Sequence, residues 1–149
     1  MNRRESVRHS LAVAGLLGAT GLFPQFARAA GRAAFDAHGV GEALRACGAA
    51  APVASSDVQI TAPDSAENGA LVPFTIASTL PDVKAMLLLV EKNPVTLIAK
   101  FDVNDVVEAS FAVRAKMAET SNVYAVAITA DDKAWFARKP VQVTLNGCG

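Results

Sequence analysis

Cysteine, histidine and the larger aromatics are scarce in this chain of 149 residues, and neither sign of charge is in excess. Two cysteines are too few to build a disulfide scaffold. One Trp and one Tyr offer no row of rings on which bases could stack, which sets aside a single-strand-binding platform. Fourteen basic residues against fourteen acidic ones lack the basic excess of a nucleic-acid binder. The histidines are His9 and His38 only, so no Ser-His-Asp set can be proposed for the body of the chain without forcing His38 into it. There is no CxxC, no HExxH and no phosphate-cradling glycine loop, and hence no expected cofactor or metal. Hydrophobic residues are plentiful at 52%, too many for a disordered chain, and the length suits one domain.

The balanced charge is a sum of unlike parts. Arg3, Arg4 and Arg8 form a basic head, and Leu11 to Phe23 is apolar or small except for Thr20. Ala27-Arg28-Ala29 then reads as a cleavage signal, so residues 1–29 are expected to be an export signal and the mature chain to begin at Ala30. The apolar stretch is shorter than the about 20 residues a membrane-spanning helix needs, and no Cys stands at the cleavage point for a lipid anchor. Adjacent arginines before a Gly- and Ala-rich apolar region resemble a twin-arginine signal, although Asn2 precedes the pair and Ser6 stands where Phe is usual. That route carries folded cargo. With no cofactor motif in the mature chain, a folded partner is the expected reason for using it. Removing this segment leaves ten basic and thirteen acidic residues, a mildly acidic domain.

Residues 30–56 are expected to hold a short helix and a linker. Val40, Leu44 and Cys47 fall at helical spacing, Asp36 is a candidate cap, Gly48 a stop, and Ala49 to Ser56 is small and polar. From Asp57 the period changes to two. Strands are expected at Val58 to Ile60, at Val72 to Ile76 (with Pro73 marking an edge or bulge), and at Val95 to Val103. Val107 to Met117 gives the cleanest alternation, and Val123 to Thr129, Ala134 to Arg138 and Val141 to Leu145 complete the series. Val83 to Val90 is a near-continuous apolar run, as in a strand buried on both faces. Seven or eight short strands with regular turn signals point to an all-β fold, an immunoglobulin-like antiparallel β-sandwich over residues 57–145.

Most polar residues in this frame read as solvated surface: His38, the pair Asp131-Asp132 at a hairpin tip, and Arg114 and Lys116 on one strand face with Glu108. Cys47, on the apolar stripe of the helix, reads as a small buried hydrophobe. Cys148 differs. It lies beyond the last strand in Asn146-Gly147-Cys148-Gly149, where glycine on both sides removes bulk and backbone restriction. Exposed thiols are a hazard in an oxidising compartment. The position, two residues from the end, excludes prenylation. A Cys47–Cys148 disulfide is one alternative reading. The other is a thiol on a thin flexible arm, able to enter a partner's narrow active site as a covalent carrier does, with residues 146–149 as the arm.

Several segments together resemble the SoxY family, carrier subunits of the periplasmic sulfur-oxidising (Sox) system. They are Ala66-Glu67-Asn68-Gly69-Ala70 followed by Val72-Pro73, Val90-Glu91-Lys92-Asn93-Pro94, Arg114-Ala115-Lys116-Met117 with Thr120-Ser121, and the terminal Gly147-Cys148-Gly149. The family typically ends Gly-Gly-Cys-Gly-Gly; here Asn146 replaces the first Gly and the final Gly is absent. The resemblance implies a non-enzymatic carrier in which Cys148 holds sulfur intermediates and Asn146, Gly147 and Gly149 give the arm its freedom. It implies a SoxZ-like sandwich as heterodimer partner, without a signal of its own. It also implies visits to a cytochrome that couples thiosulfate to the thiol, to a hydrolase that releases sulfate, and in some organisms to a sulfane dehydrogenase. Two other readings compete: a periplasmic binding or chaperone-like sandwich that works through a sheet edge, and a thiol oxidoreductase using Cys47 with Cys148.

Overall fold

The computed structural model describes residues 32–144. The export signal read over residues 1–29 and the terminal stretch from Leu145 to Gly149 lie outside the described residues. Two short helical segments, residues 32–36 (α1) and Val40–Ala46 (α2), precede nine strands. The strands are β1 Val53–Ala54, β2 Val58–Thr61, β3 Ser65–Ala66, β4 Val72–Ser78, β5 Val83–Val90, β6 Leu97–Asp102, β7 Ser110–Ala115, β8 Ser121–Thr129 and β9 Ala134–Val143. β1, β9, β8, β5 and β6 lie side by side in that order, with β3 also on β9, and β2, β4 and β7 form a second sheet. The sheets face each other across a core that includes Phe74, Ile76, Met86, Leu88, Val123 and Ala125. This is the expected immunoglobulin-like sandwich, antiparallel except where the two-residue strands β1 and β3 run parallel to β9.

The apolar run in β5 follows from its position. It is paired on both sides, with β6 and β8, and from Ala85 to Val90 every residue is buried. Met86, Leu88 and Val90 enter the core between the sheets. Ala85, Leu87 and Leu89 point to the other face, where Ala34, Ala43 and Leu44 of the helical segments cover them. A strand with a sheet on one face and helices on the other has no polar face, so it cannot alternate. The helix that supplies this cover begins later than expected. Asp36 lies in α1, and the N-cap of α2 is Gly39, at φ 93°. The Gly39 N–H donates to the buried Thr96 hydroxyl at 2.9 Å. The helix ends as expected: Gly48, at φ 74°, donates to the Arg45 carbonyl at 3.0 Å, and Ala49 reaches back to the Leu44 carbonyl at 3.0 Å, a left-handed glycine stop.

Four expectations need correction. β4 is not an edge: it lies between β2 and β7. Pro73 is tolerated because β2 pairs only with Thr75 to Ser78, so the proline stands beyond the end of that ladder. The two closing runs are one strand, β9, in which Pro140 faces Asn122 of β8 on one side and on the other falls in the gap between β1 and β3. The Ala49 to Ser56 linker is partly strand, since Val53 and Ala54 pair with Trp135 and Phe136. β7 is shorter than the alternation of Val107 to Met117: the Asn104 carboxamide oxygen accepts from the Val106 and Val107 N–H groups and turns the chain as it crosses between sheets. The parity was right, because Ala115 and Met117 are buried and Phe111 and Val113 pack against the core. In β6 the register shifts between Leu88↔Ala99 and Leu89↔Leu97, leaving Ile98 as an extra residue. Leu97 therefore joins the helix-side core, whereas Phe101 packs on the inter-sheet core.

Replacing Leu88 by Ala removes a fully buried side chain from the centre of β5 and is expected to cost about 2–5 kcal/mol. Val106→Ala, at a site 93% exposed, is expected to change stability by less than about 0.5 kcal/mol. Urea unfolding midpoints for the two variants check this assignment of the core.

Candidate functional site

The proposed site residues, Asn146, Gly147, Cys148 and Gly149, lie outside the described residues, so the geometry at hand is that of the platform from which they leave. That platform is one end of the sandwich. The registers bring the ends of β5, β7 and β9 and the starts of β4, β6 and β8 together there. Its loops are residues 67–71, 91–96 and 116–120, and Thr144 is the last described residue. The opposite end carries residues 79–82, 103–109 and 130–133. All three internal segments that carried the family resemblance therefore meet at the end where β9 stops.

Hydrogen bonds fasten these loops to one another. The Asn93 carboxamide donates to the Lys116 carbonyl at 2.7 Å, and its oxygen accepts from the Ala118 N–H at 2.9 Å, which ties the β5–β6 turn to the β7–β8 crossing. The Lys92 N–H donates to the Ser121 hydroxyl at 3.1 Å, and the Asn122 carboxamide donates to Glu91 at 3.0 Å. The Met117 N–H donates to the Gly69 carbonyl at 2.7 Å, joining the loop before β4 to the crossing after β7. The last residues before the tail are held in the same way. The Val143 N–H donates to the Thr120 hydroxyl at 2.9 Å, and the Thr144 N–H to the Ala66 carbonyl at 3.1 Å. Asn, Ser and Thr do this work because their short polar side chains reach backbone groups that the strands leave unpaired.

Beside this platform, between the β5–β6 turn and the end of β7, runs an open groove of about 460 Å³. Pro94, Val95, Ile98 and Val113 give it apolar walls, and Arg114 and Lys116 line it as well. Arg114 and Lys116 are exposed, as expected of an outer face; Glu108 stands at the other end of the sandwich, in the crossing loop before β7.

The remaining candidates are scattered. The exposed His38 donates its backbone N–H to Glu42 at 3.1 Å. Asp131 and Asp132 form the tip of the β8–β9 hairpin, where Asp131 accepts from the Thr129 hydroxyl at 2.5 Å and Asp132 pairs with Lys84. That hydroxyl holds the Asp131 carboxyl below its ordinary range. Cys47, the C-cap of α2, is half-buried against the helix-side core rather than fully buried. Burial pushes its thiol up from the ordinary value, with Lys100 opposing the shift, so little of it is the reactive thiolate at neutral pH. Among the described residues no three His, Cys, Asp or Glu side chains are grouped to hold a metal ion, and no helix is long and apolar enough to cross a membrane.

Comparison with known proteins agrees with the motifs. The family described as sulfur oxidation protein SoxY matches residues 44–148, a span that includes Cys148. The structure of the sulfur carrier protein SoxY from Chlorobium limicola is similar at 33% identity and a TM-score of 0.58, covering 63% of this chain and 84% of that one. A superoxide reductase (neelaredoxin) from Ignicoccus hospitalis aligns with a TM-score of 0.52 at 16% identity, over 58% of this chain and 78% of that one, a likeness of fold alone. Among curated proteins none matches.

The fastening of the platform can be tested at Asn93. Asn93→Ala removes two loop-to-loop hydrogen bonds and is expected to lower stability by about 1–3 kcal/mol. Amide exchange at Ala118, whose N–H loses its acceptor, is expected to quicken more than exchange in β5; equal effects at both positions contradict the local role.

Proposed function

The chain belongs to the SoxY family, and on that premise we propose that it is a periplasmic sulfur carrier whose working group is the Cys148 thiol. The observation that supports this most is the convergence of the family-like segments on the end of the sandwich where β9 stops. The only cysteine among the described residues, Cys47, is half-buried on the helical side with a thiol pushed up by burial, and makes a poor nucleophile. Four residues beyond Thr144, the Cys148 Cα can lie at most about 14 Å from it. That reach suits entry into an enzyme's active site while the sandwich stays outside.

The chemistry asked of the thiol is substitution and release. Oxidative coupling joins the Cys148 sulfur to the outer sulfur of thiosulfate. The thiol proton and two electrons leave, the electrons passing to a cytochrome partner, and a cysteine S-thiosulfonate remains. Water then cleaves the sulfur–sulfonate bond in a hydrolase partner, releasing sulfate and leaving a persulfide on the carrier. A sulfane dehydrogenase, where present, oxidises that remaining sulfur. The carrier supplies attachment and presentation, and the enzymes supply catalysis. With ten basic residues against thirteen acidic ones beyond the export signal, the chain has no general attraction for thiosulfate, so the anion is captured in the enzyme's site. The carrier works beside a SoxZ-like subunit and travels folded, with that subunit, by the twin-arginine route.

In a reconstituted system of carrier pair and Sox enzymes, Cys148→Ser is expected to abolish thiosulfate-dependent cytochrome reduction. Cys47→Ser is expected to keep it within about two-fold of wild type, because a half-buried thiol of raised pKa takes no part. Retained turnover in Cys148→Ser overturns the proposal.

A further inference from the structure

Asparagine is followed by glycine at two places in the chain, Asn68-Gly69 and Asn146-Gly147. Such a pair carries its own reagent, because the nitrogen of the second residue can attack the carboxamide carbon of the first. Glycine has no Cβ to shield that nitrogen or to restrain the backbone that must fold onto the side chain. The other asparagines precede Arg3, Pro94, Asp105 and Val123, which are bulkier, and Pro94 has no N–H to give up.

The fold clamps the first pair. Asn68 lies in the loop between β3 and β4, and its carboxamide oxygen accepts from the Ala70 N–H at 2.9 Å. The carbonyl of that same peptide unit, belonging to Gly69, accepts from the Met117 N–H at 2.7 Å. Just before it, Ala66 pairs with Val143 of β9, and the Glu67 carbonyl accepts from the Thr144 hydroxyl at 3.3 Å. Closing a ring at Asn68 turns its carboxamide and the Gly69 peptide out of the positions these bonds hold, so it waits on local opening. The second pair lies beyond Thr144, the last described residue. The carrier reading requires residues 146–149 to bend, and an arm that bends lets the Gly147 nitrogen meet the Asn146 carboxamide carbon.

We infer that Asn146 is a site of spontaneous deamidation that wears the arm, while the fold protects Asn68 in the same dipeptide. The inference rests on the carrier reading and adds to it a modification site. The Gly147 N–H gives its proton to a base, and the nitrogen bonds to Asn146 Cγ. The Cγ–Nδ2 bond breaks and ammonia leaves with a proton. Water then opens the succinimide at either carbonyl, leaving aspartate or isoaspartate; no electrons change hands. In isoaspartate the main chain runs through the side-chain carbons and gains one methylene, which re-aims the thiol. Either product adds a carboxylate two residues from Cys148. That charge disfavours the thiolate and repels the anionic thiosulfate to be coupled to it. The family's usual glycine in this place has no carboxamide to lose.

The test incubates the full mature chain at mildly alkaline pH, folded and in parallel unfolded in urea, with peptide mapping by mass spectrometry at intervals. In the folded chain the Asn146 peptide is expected to become an aspartate–isoaspartate pair at least about ten times faster than the Asn68 peptide, and in urea the two rates are expected to agree within about three-fold. Equal rates in the folded chain overturn the inference, and so does a gap that persists undiminished in urea. Turnover in the reconstituted system, taken relative to each protein's fresh value, is expected to fall as wild-type carrier ages and to hold in Asn146→Gly. An equal decline in both overturns the wear on the arm. If Cys148 takes up sulfur and Asn146 stays intact in the folded chain, only this inference falls. If Cys148 takes up none, the carrier reading falls, and the two conversion rates still decide the chemistry at Asn146.

Discussion

Two-sided burial of β5 is the constraint on which the rest of the structure depends. Met86, Leu88 and Val90 require a facing sheet, and Ala85, Leu87 and Leu89 require a second cover that a bare sandwich does not supply. The helical segments before β1 provide that cover, which explains why a small β-domain keeps about fifteen residues of helix and turn at its start. Gly39 and Gly48 shape this cover, one as the N-cap of α2 and the other as its left-handed stop. The Gly39 bond to Thr96 links it to the turn at the start of β6. Core, helical cover and tail-bearing end are thus parts of one packing solution.

On that body the polar side chains are spent on fastening. Asn93, Thr120, Ser121 and Asn122 join loops at one end. A firm platform with a short glycine-flanked thiol beyond it divides the labour. The fewer the residues between a carrier's body and its thiol, the smaller the entropy cost of ordering them in an enzyme.

Much of this was legible in the chain itself. Period-two runs located β2, β4, β6 to β8 and, in two pieces, β9, and the unbroken run from Val83 to Val90 announced β5 as a strand with two covered faces. What failed were local rules overruled by neighbours. Pro73 marks an edge only if both flanking ladders are full length, and β2 stops short of it. Pro140 split β9 on paper because no single-sequence pattern shows that β1 and β3 would leave a gap beside it. The bulge at Ile98 turned Leu97 away from the face that alternation gave it. The motif segments were visible as strings, but their meeting at one end depended on registers between strands distant in sequence. The fastening role of Asn93 was hidden for the same reason, although its place in a turn beside Pro94 was a signal.

The account stands on the identity of the atom that carries sulfur. The most direct measurement is peptide mapping by mass spectrometry of the wild-type carrier pair after incubation with thiosulfate and its oxidising cytochrome. The account predicts one thiosulfate-derived group on the peptide containing Cys148, removable by a thiol reductant, and an unmodified Cys47. A group found on Cys47, or on neither cysteine while the cytochrome is reduced, contradicts it.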